Sequence, residues 1–289
     1  MADQSVTGSV EQRVALARNR KTSQEKLYSM VADPSVQVRA ALAARPDATA
    51  QMLRALTRDR DRGVREIVAR NAAASQGNLL RLLGDADRRV RWAVATNPSC
   101  DERIRGVMLK AQDKELRGLL AEMPALEPDS AAELVGDASS EVRERLATHT
   151  AIPEIIDALL EDRAVRVRKG LAVNEWTSPE QRHRLATDFS PEIRATLVSA
   201  LDLEEADLRA LLDDRSADVR KAMATSDRTP QHIREALMAD ADEQVRRAAL
   251  TYRASEQPPA AGAPAEERKV SLRTTARKPV ARRFPGKNA

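Results

Sequence analysis

Arginine recurs at positions 13, 39, 65, 91, 117, 143, 168, 194, 220 and 246, at intervals of 26 residues with one interval of 25 between Arg143 and Arg168. No other property constrains the fold as strongly, because a unit of that length is one supersecondary element that buries its apolar face only by stacking on copies of itself. The residue before each arginine is apolar in nine of ten cases, Gln12 being the exception, and the residue three later is always apolar, from Leu16 and Leu42 to Met223 and Ala249. At about 100° per residue these columns fall on one helical face. Four residues after the arginine stands alanine (Ala17, Ala43, Ala69, Ala95, Ala121, Ala147, Ala172, Ala224), with Val198 and Leu250 departing, and a small side chain there lets a neighbouring helix approach closely.

Each period contains a second helix. Six residues before the arginine stands Asp33, Asp59, Asp85, Asp137, Asp162, Asp188, Asp214 or Asp240, with Thr7 and Ala111 in the two remaining places. Aspartate ahead of a helix predicts a cap on its free N–H groups. Asn19, Asn71, Asn97 and Asn174 at the far end predict a left-handed helix stop. A second start follows, with capping-box spacing in Thr22 to Glu25, Ser99 to Glu102 and Ser130 to Glu133, and with Pro179 and Pro230 at expected first helical positions. The fold class expected is all-α: a right-handed α-solenoid of about ten two-helix repeats over residues 1–253, followed by a basic, proline-rich tail over 254–289. Aromatic residues make up only 2% of the chain, so Ala, Leu and Val do the burying, which suits closely spaced helices better than a wide sheet sandwich.

The unit Asp-x-x-x-x-Val-Arg-x-x-Leu/Val-Ala-x-Asn-Pro, as in Asp85 to Pro98, resembles the leucine-rich repeat variant, a type related in layout to HEAT repeats. The resemblance covers roughly residues 5–253. It implies an α-solenoid in which some of the short helices are 3₁₀, with the Val-Arg helix on the concave side. The founding variant type carries an amino-terminal cysteine cluster for an iron–sulfur centre; this chain has the single Cys100, so that property does not carry over. Function varies widely in both families, and the resemblance informs fold more than activity.

Two readings of the arginine column stand side by side. Ten guanidiniums in line suit a phosphate backbone. Alternatively Arg39, Arg65, Arg91, Arg143, Arg194 and Arg220 form an internal ladder with Asp33, Asp59, Asp85, Asp137, Asp188 and Asp214, each arginine pairing with the aspartate six residues earlier or with one in the adjoining repeat; the matched columns favour the ladder. Solvent-facing positions on the Val-Arg helix are expected one and five residues after the arginine and two before it. They include Val14, Arg18, Gln37, Ala40 and Ala44 early in the chain and Glu192, Ala195, Ser199 and Asp218 late, and they form no continuous basic stripe, which argues against a duplex along the groove. Trp92 is the one bulky aromatic expected to face out, beside Arg88 and Arg89 with Arg62 and Arg70 one repeat away, a combination typical of protein-binding hot spots. Its competing role is to cover Gly118, and Trp176 is expected to pack in a loop.

No nucleophile elbow, phosphate loop, paired carboxylate motif or metal cage is present, so no catalytic residue, cofactor or metal ligand is assigned. HEAT-like DNA glycosylases use tryptophans and an acid on the concave face; Trp92 and Trp176 are too far apart in repeat phase to carry that site over, and this enzyme is the extreme of a nucleic-acid-binding alternative. The net charge of +4 conceals a partition: +7 over residues 1–100, −8 over 101–253 and +5 over the tail. The tail, with Arg277, Lys278, Arg282 and Arg283, is expected to be disordered and either to tether nucleic acid, an anionic membrane or an acidic protein by charge or merely to keep the protein in solution. No run of 18 apolar residues exists, and the lone cysteine fits a reducing cytoplasm. The leading expectation is a non-enzymatic scaffold for a protein partner.

Overall fold

The computed structural model describes residues 8–123 and 126–256. Those residues form nineteen helices and no strand. The helices that carry the arginine column are α1 (Val10–Arg18), α3 (Val36–Ala43), α5 (Arg62–Arg70), α7 (Arg88–Ala95), α9 (Lys114–Ala121), α11 (Ser140–His149), α13 (Val165–Leu171), α15 (Pro191–Ala200), α17 (Ala217–Thr225) and α19 (Glu243–Glu256). Between them lie α2 (Gln24–Ser29), α4 (Ala50–Leu56), α6 (Gln76–Leu83), α8 (Glu102–Leu109), α10 (Pro128–Val135), α12 (Pro153–Leu160), α14 (Pro179–Ala186), α16 (Glu205–Leu212) and α18 (Gln231–Leu237). The chain is a helical repeat protein. Every described helix is α, so the expectation of 3₁₀ helices does not hold: even the six-residue α2 has an N-cap serine and a buried Leu27 to hold an α turn. The final helix runs past residue 253 to Glu256, and the tail residues singled out from the sequence lie outside the described residues.

The columns form the core. Val38, Val64, Val90, Val142, Val167, Ile193, Val219 and Val245 are buried, as are Leu42, Val68, Val94, Leu120, Leu146, Leu171, Leu197 and Met223. Full burial of one such side chain is worth roughly 1.5–3 kcal/mol. The alanines from Ala17 to Ala224 are buried with them, and the arginine-bearing helices approach one another more closely than the intervening ones do. A stack curves toward its more closely spaced row, which puts the arginine-bearing helices on the inside of the curve. Approach is tightest between α11 and α13 and looser between α7 and α9 and between α13 and α15. Gly170 explains the first: a Cβ there would lie 2.9 Å from the Glu144 carbonyl oxygen on the facing helix.

The capping chemistry differs from the sequence expectation in a systematic way. The aspartate column does not cap helices. Its Oδ1 accepts the backbone N–H two residues on, at 2.8–2.9 Å, and that next residue is the N-cap: Ser35, Asp61, Asp87, Ser139, Ala164, Ser190 or Ser216. Thr22, Ser99 and Ser130 are likewise not N-caps; Thr22 and Ser99 donate to the carbonyls of Leu16 and Ala72, and Ser130 lies inside α10. Complete capping boxes occur at Ser9 with Gln12 and at Ser178 with Gln181. Pro179 is at a first helical position, whereas Pro230 is itself the N-cap of α18.

Asn19 and Asn71 end their helices in extended rather than left-handed backbone, with φ −71° and ψ 122° at Asn71, whereas α7 and α13 end at Thr96 and Ala172, ahead of Asn97 and Asn174. The asparagine amide serves the neighbouring repeat. Asn71 Nδ2 donates to the carbonyls of Ala43 and Arg45, Asn97 to those of Ala69 and Asn71, and Asn174 to those of Ala147 and Thr150, all at 2.6–3.1 Å. Arg45 replaces asparagine in the second repeat and donates to Ala17 and Asn19 carbonyls instead. These bonds satisfy helix-terminal carbonyls that otherwise lack partners. The 25-residue interval is absorbed on this edge: α11 runs to His149, and only Thr150, Ala151 and Ile152 separate it from α12.

Candidate partner-binding site

Eight arginines of the column form bidentate pairs with the aspartate of the following repeat: Arg13–Asp33, Arg39–Asp59, Arg65–Asp85, Arg117–Asp137, Arg143–Asp162, Arg168–Asp188, Arg194–Asp214 and Arg220–Asp240. Nε meets Oδ2 at 2.6–2.8 Å and Nη2 meets Oδ1 at 2.8–3.2 Å throughout. Nη1 reaches the other way and in six of the eight donates to the backbone carbonyl of the aspartate six residues earlier, as Arg39 does to Asp33 at 2.7 Å, while Arg13 donates to Gly8 and Arg117 to Ala111. The aspartate six residues earlier thus contributes its carbonyl and the one in the next repeat its carboxylate. Arg143–Asp162 keeps this geometry across a separation of 19 residues.

Burial is the largest influence on the carboxyls of Asp33, Asp59, Asp85, Asp137, Asp162 and Asp214 and pushes them up, yet the arginine hydrogen bond, the backbone N–H and adjacent positive charge together hold each below the usual aspartate value. At Asp240 the hydrogen bond from Arg220 is the largest influence and lowers it. The paired guanidiniums are correspondingly raised, first by the hydrogen bond to aspartate. These arginines are committed inside the fold and do not present a line of free charge to a phosphate backbone.

Arg91 departs from the ladder expected of it. Ala111 stands where its aspartate would be, and Nε is buried without a hydrogen-bond partner.

The cluster anticipated around Trp92 is also rearranged. Trp92 is half-buried and packs against the core instead of facing out. Gly118 is covered by Arg145, whose Nη1 would lie 2.3 Å from a Cβ at that position. Arg62 pairs with Asp87 at 3.2 Å, Arg70 with Glu66 at 2.6 Å and Arg88 with Glu122 at 2.7 Å, while Arg89 is exposed and donates its backbone N–H to Asp87. The aromatics that stand out most are Trp176, 63% exposed in the turn after α13, and Phe189, 91% exposed beside Asp188, with Tyr28 exposed to a lesser degree. Trp176 therefore does not pack as expected: its N–H is held by Asn174 Oδ1 while the ring projects.

Two open grooves lie on the arginine-bearing helices, lined by the positions that the helical phase assigns to solvent. The first, of about 610 Å³, runs across α1, α3 and α5 over Val14, Ala40, Ala41, Ala44 and Ile67, with Arg18 and Arg20 at its rim. Neither rim arginine has an ion-pair partner among the described residues, whereas Arg45 at the same edge is held by Asp47. The second, of about 640 Å³, crosses α13, α15 and α17 over Val173, Ala195 and Ala222, with Asp218 and Glu192, the latter paired with Lys169, at its rim. The +7 and −8 halves of the chain thus reappear as a basic and an acidic groove on one face. Small residues at solvent-facing positions were the available signal for both.

Among the described residues no group of three or more His, Cys, Asp or Glu side chains is placed to hold a metal ion, and no helix is long and apolar enough to cross a membrane. Cys100 is buried, and burial pushes its thiol up. No protein-family model matches the chain, and no curated protein matches it. Among solved structures it is similar to a leucine-rich repeat variant with a novel repetitive structural motif, at 22% identity over 84% of this chain and 88% of that one, with a TM-score of 0.43. It is similar also to computationally designed armadillo repeat proteins for modular peptide recognition, at 18% identity over 85% and 99% of the two chains with a TM-score of 0.19, and to another designed armadillo repeat protein at 18% identity and a TM-score of 0.18 over 84% and 98%.

Proposed function

We propose that this helical repeat protein is a non-enzymatic scaffold, acting in the cytoplasm, whose basic groove across α1, α3 and α5 receives an acidic segment of a protein partner. One observation carries the reading: an open groove with a floor of small apolar side chains and two rim arginines, Arg18 and Arg20, in no ion pair among the described residues while Arg13, Arg39 and Arg65 are locked in the ladder. Small apolar side chains of an extended segment fill such a floor, and carboxylates at its edge answer the two guanidiniums. The basic segment 254–289 adds attraction to the same class of partner. Trp92 then supports the partner-binding half from within the core instead of serving as its anchor.

Selection of a random displayed-peptide library on the full chain tests this. Acidic peptides are expected to be enriched and to be lost on the double variant Arg18→Glu/Arg20→Glu, with helicity unchanged. Enrichment of the same peptides by the variant, or of none by the wild type, refutes the groove. Binding of duplex or single-stranded DNA that is steeply salt-dependent and survives both substitutions would instead favour a nucleic-acid partner.

A further inference from the structure

All ten arginines of the column share one local geometry in which Nη1 is anchored to carbonyls of its own repeat; in eight of them an aspartate closes the Nε–Nη2 edge, and among the described residues none does so at Arg91 or at the terminal Arg246, of which Arg91 alone has a buried Nε without a partner. Arg91 Nη1 donates to the carbonyls of Asp85 at 2.7 Å and Ala86 at 3.1 Å, the same anchorage seen at Arg65, where Nη1 donates to Asp59 at 2.8 Å and Arg60 at 3.3 Å. The guanidinium is therefore oriented as in a closed rung. Alanine differs from aspartate by one carboxylate, so Ala111 leaves out the group and keeps the backbone that would carry it.

A second donor points to the same place. In each closed rung the aspartate also accepts the N–H two residues on, as Asp85 does from Asp87 at 2.9 Å and Asp137 from Ser139 at 2.8 Å. The residue two after Ala111 is Asp113, whose N–H has no such oxygen to meet, while its carboxylate is turned away to cap α9 through Glu115 N–H at 2.8 Å. No other acidic side chain pairs with Arg91 among the described residues. Nor does the fold close the gap by drawing the helices together, since α7 and α9 are among the more loosely packed pairs in their row.

We propose that Arg91 Nε and Nη2, with the N–H of Asp113, form a site for a carboxylate supplied from outside the solenoid, which must displace whatever covers the buried Nε. A planar carboxylate takes two parallel hydrogen bonds from the guanidinium edge and a third from the backbone, the arrangement the eight other aspartates show. The carboxylate is either a small free ion or an Asp or Glu side chain of a partner. The site is independent of the groove on α1, α3 and α5.

Formate is the probe, because it is the missing group with one hydrogen added. Titration of full-length ¹⁵N-labelled protein with sodium formate, against sodium chloride at equal ionic strength, is read at the Arg91 Nε–H resonance, identified by its loss in Arg91→Lys. A saturable shift with formate and none with chloride is expected, together with a rise in Tm of about 2–4 °C. In Ala111→Asp the resonance should already sit at the bound position, Tm should be higher without formate, and formate should move neither. An acetylated, amidated Gly-Asp-Gly peptide supplies the other arm: a shift of the same resonance assigns the site to protein carboxylates, and a response to formate alone assigns it to free ions. No formate shift at Arg91, or an equal rise in Tm in wild type and Ala111→Asp, overturns the proposal.

Discussion

The rung at Arg194 and the rung at Arg91 start from the same sequence signature and end in opposite conditions. Arg194 and Asp214 are both buried and answer each other with two hydrogen bonds, whereas Arg91 has the same anchorage and no carboxylate. Around the first, α15 packs closely on α17; around the second, α7 and α9 stand apart and are joined instead at a more exposed place by Arg88 and Glu122. The comparison teaches that the arginine is fixed by its own repeat and that the aspartate is what binds the next one.

Acid should break the closed rungs together, and this is the largest effect expected. The folded-state carboxyls of Asp33, Asp59, Asp85, Asp137, Asp162, Asp214 and Asp240 are held below the ordinary aspartate value. Their contribution is therefore complete above the unfolded value of about 3.9 and disappears as pH falls through the depressed folded values. Circular dichroism across a pH series should show steep loss of helix below about pH 4, and a shallow decline beginning near neutrality would contradict the ladder.

Asp214→Ala should come next, costing about 3 kcal/mol because it strands a buried guanidinium, while Arg91→Ala should cost under about 1 kcal/mol because its carboxylate bonds are absent from the start. Urea midpoints of the two variants measure the difference, and equal losses would erase the distinction between closed and open rungs. Glycine substitutions sharpen the same contrast through packing. Gly170→Ala presses on the Glu144 carbonyl and should cost about 1–3 kcal/mol, whereas Gly118→Ala displaces only the end of Arg145 and gains helix propensity of about 1 kcal/mol, leaving Tm nearly unchanged. Asn97→Ala removes two inter-repeat bonds on the opposite edge and should cost about 1–2 kcal/mol by the same urea measurement.

Periodicity made most of the fold legible. Val38, Leu42 and Ala43 recur in phase, and period alone puts such a triplet on one buried face. The helix ends were less legible, because Asp33 and Asn71 carry side chains that suit local caps and in the fold serve partners about 20 and 28 residues away in sequence. Local rules count only the nearest orphaned groups, and a stack supplies others from the adjoining repeat. Trp92 and Trp176 were misplaced for a related reason: helical phase sets which way a Cβ points and leaves open what the neighbouring unit puts over it. Ala111 was legible as a departure, but only the geometry of eight closed rungs gives that departure a meaning.

The junction between α7 and α9, where the rung is open, also bears on how the chain comes apart under load. In a one-dimensional array, the weight of each interface decides how far an opening travels before it stops. Tension applied at the two ends should part the array first at this seam, freeing the basic block of repeats from the acidic one while each remains wound. The seam acts as a mechanical fuse, and Ala111→Asp would raise the force at which it yields.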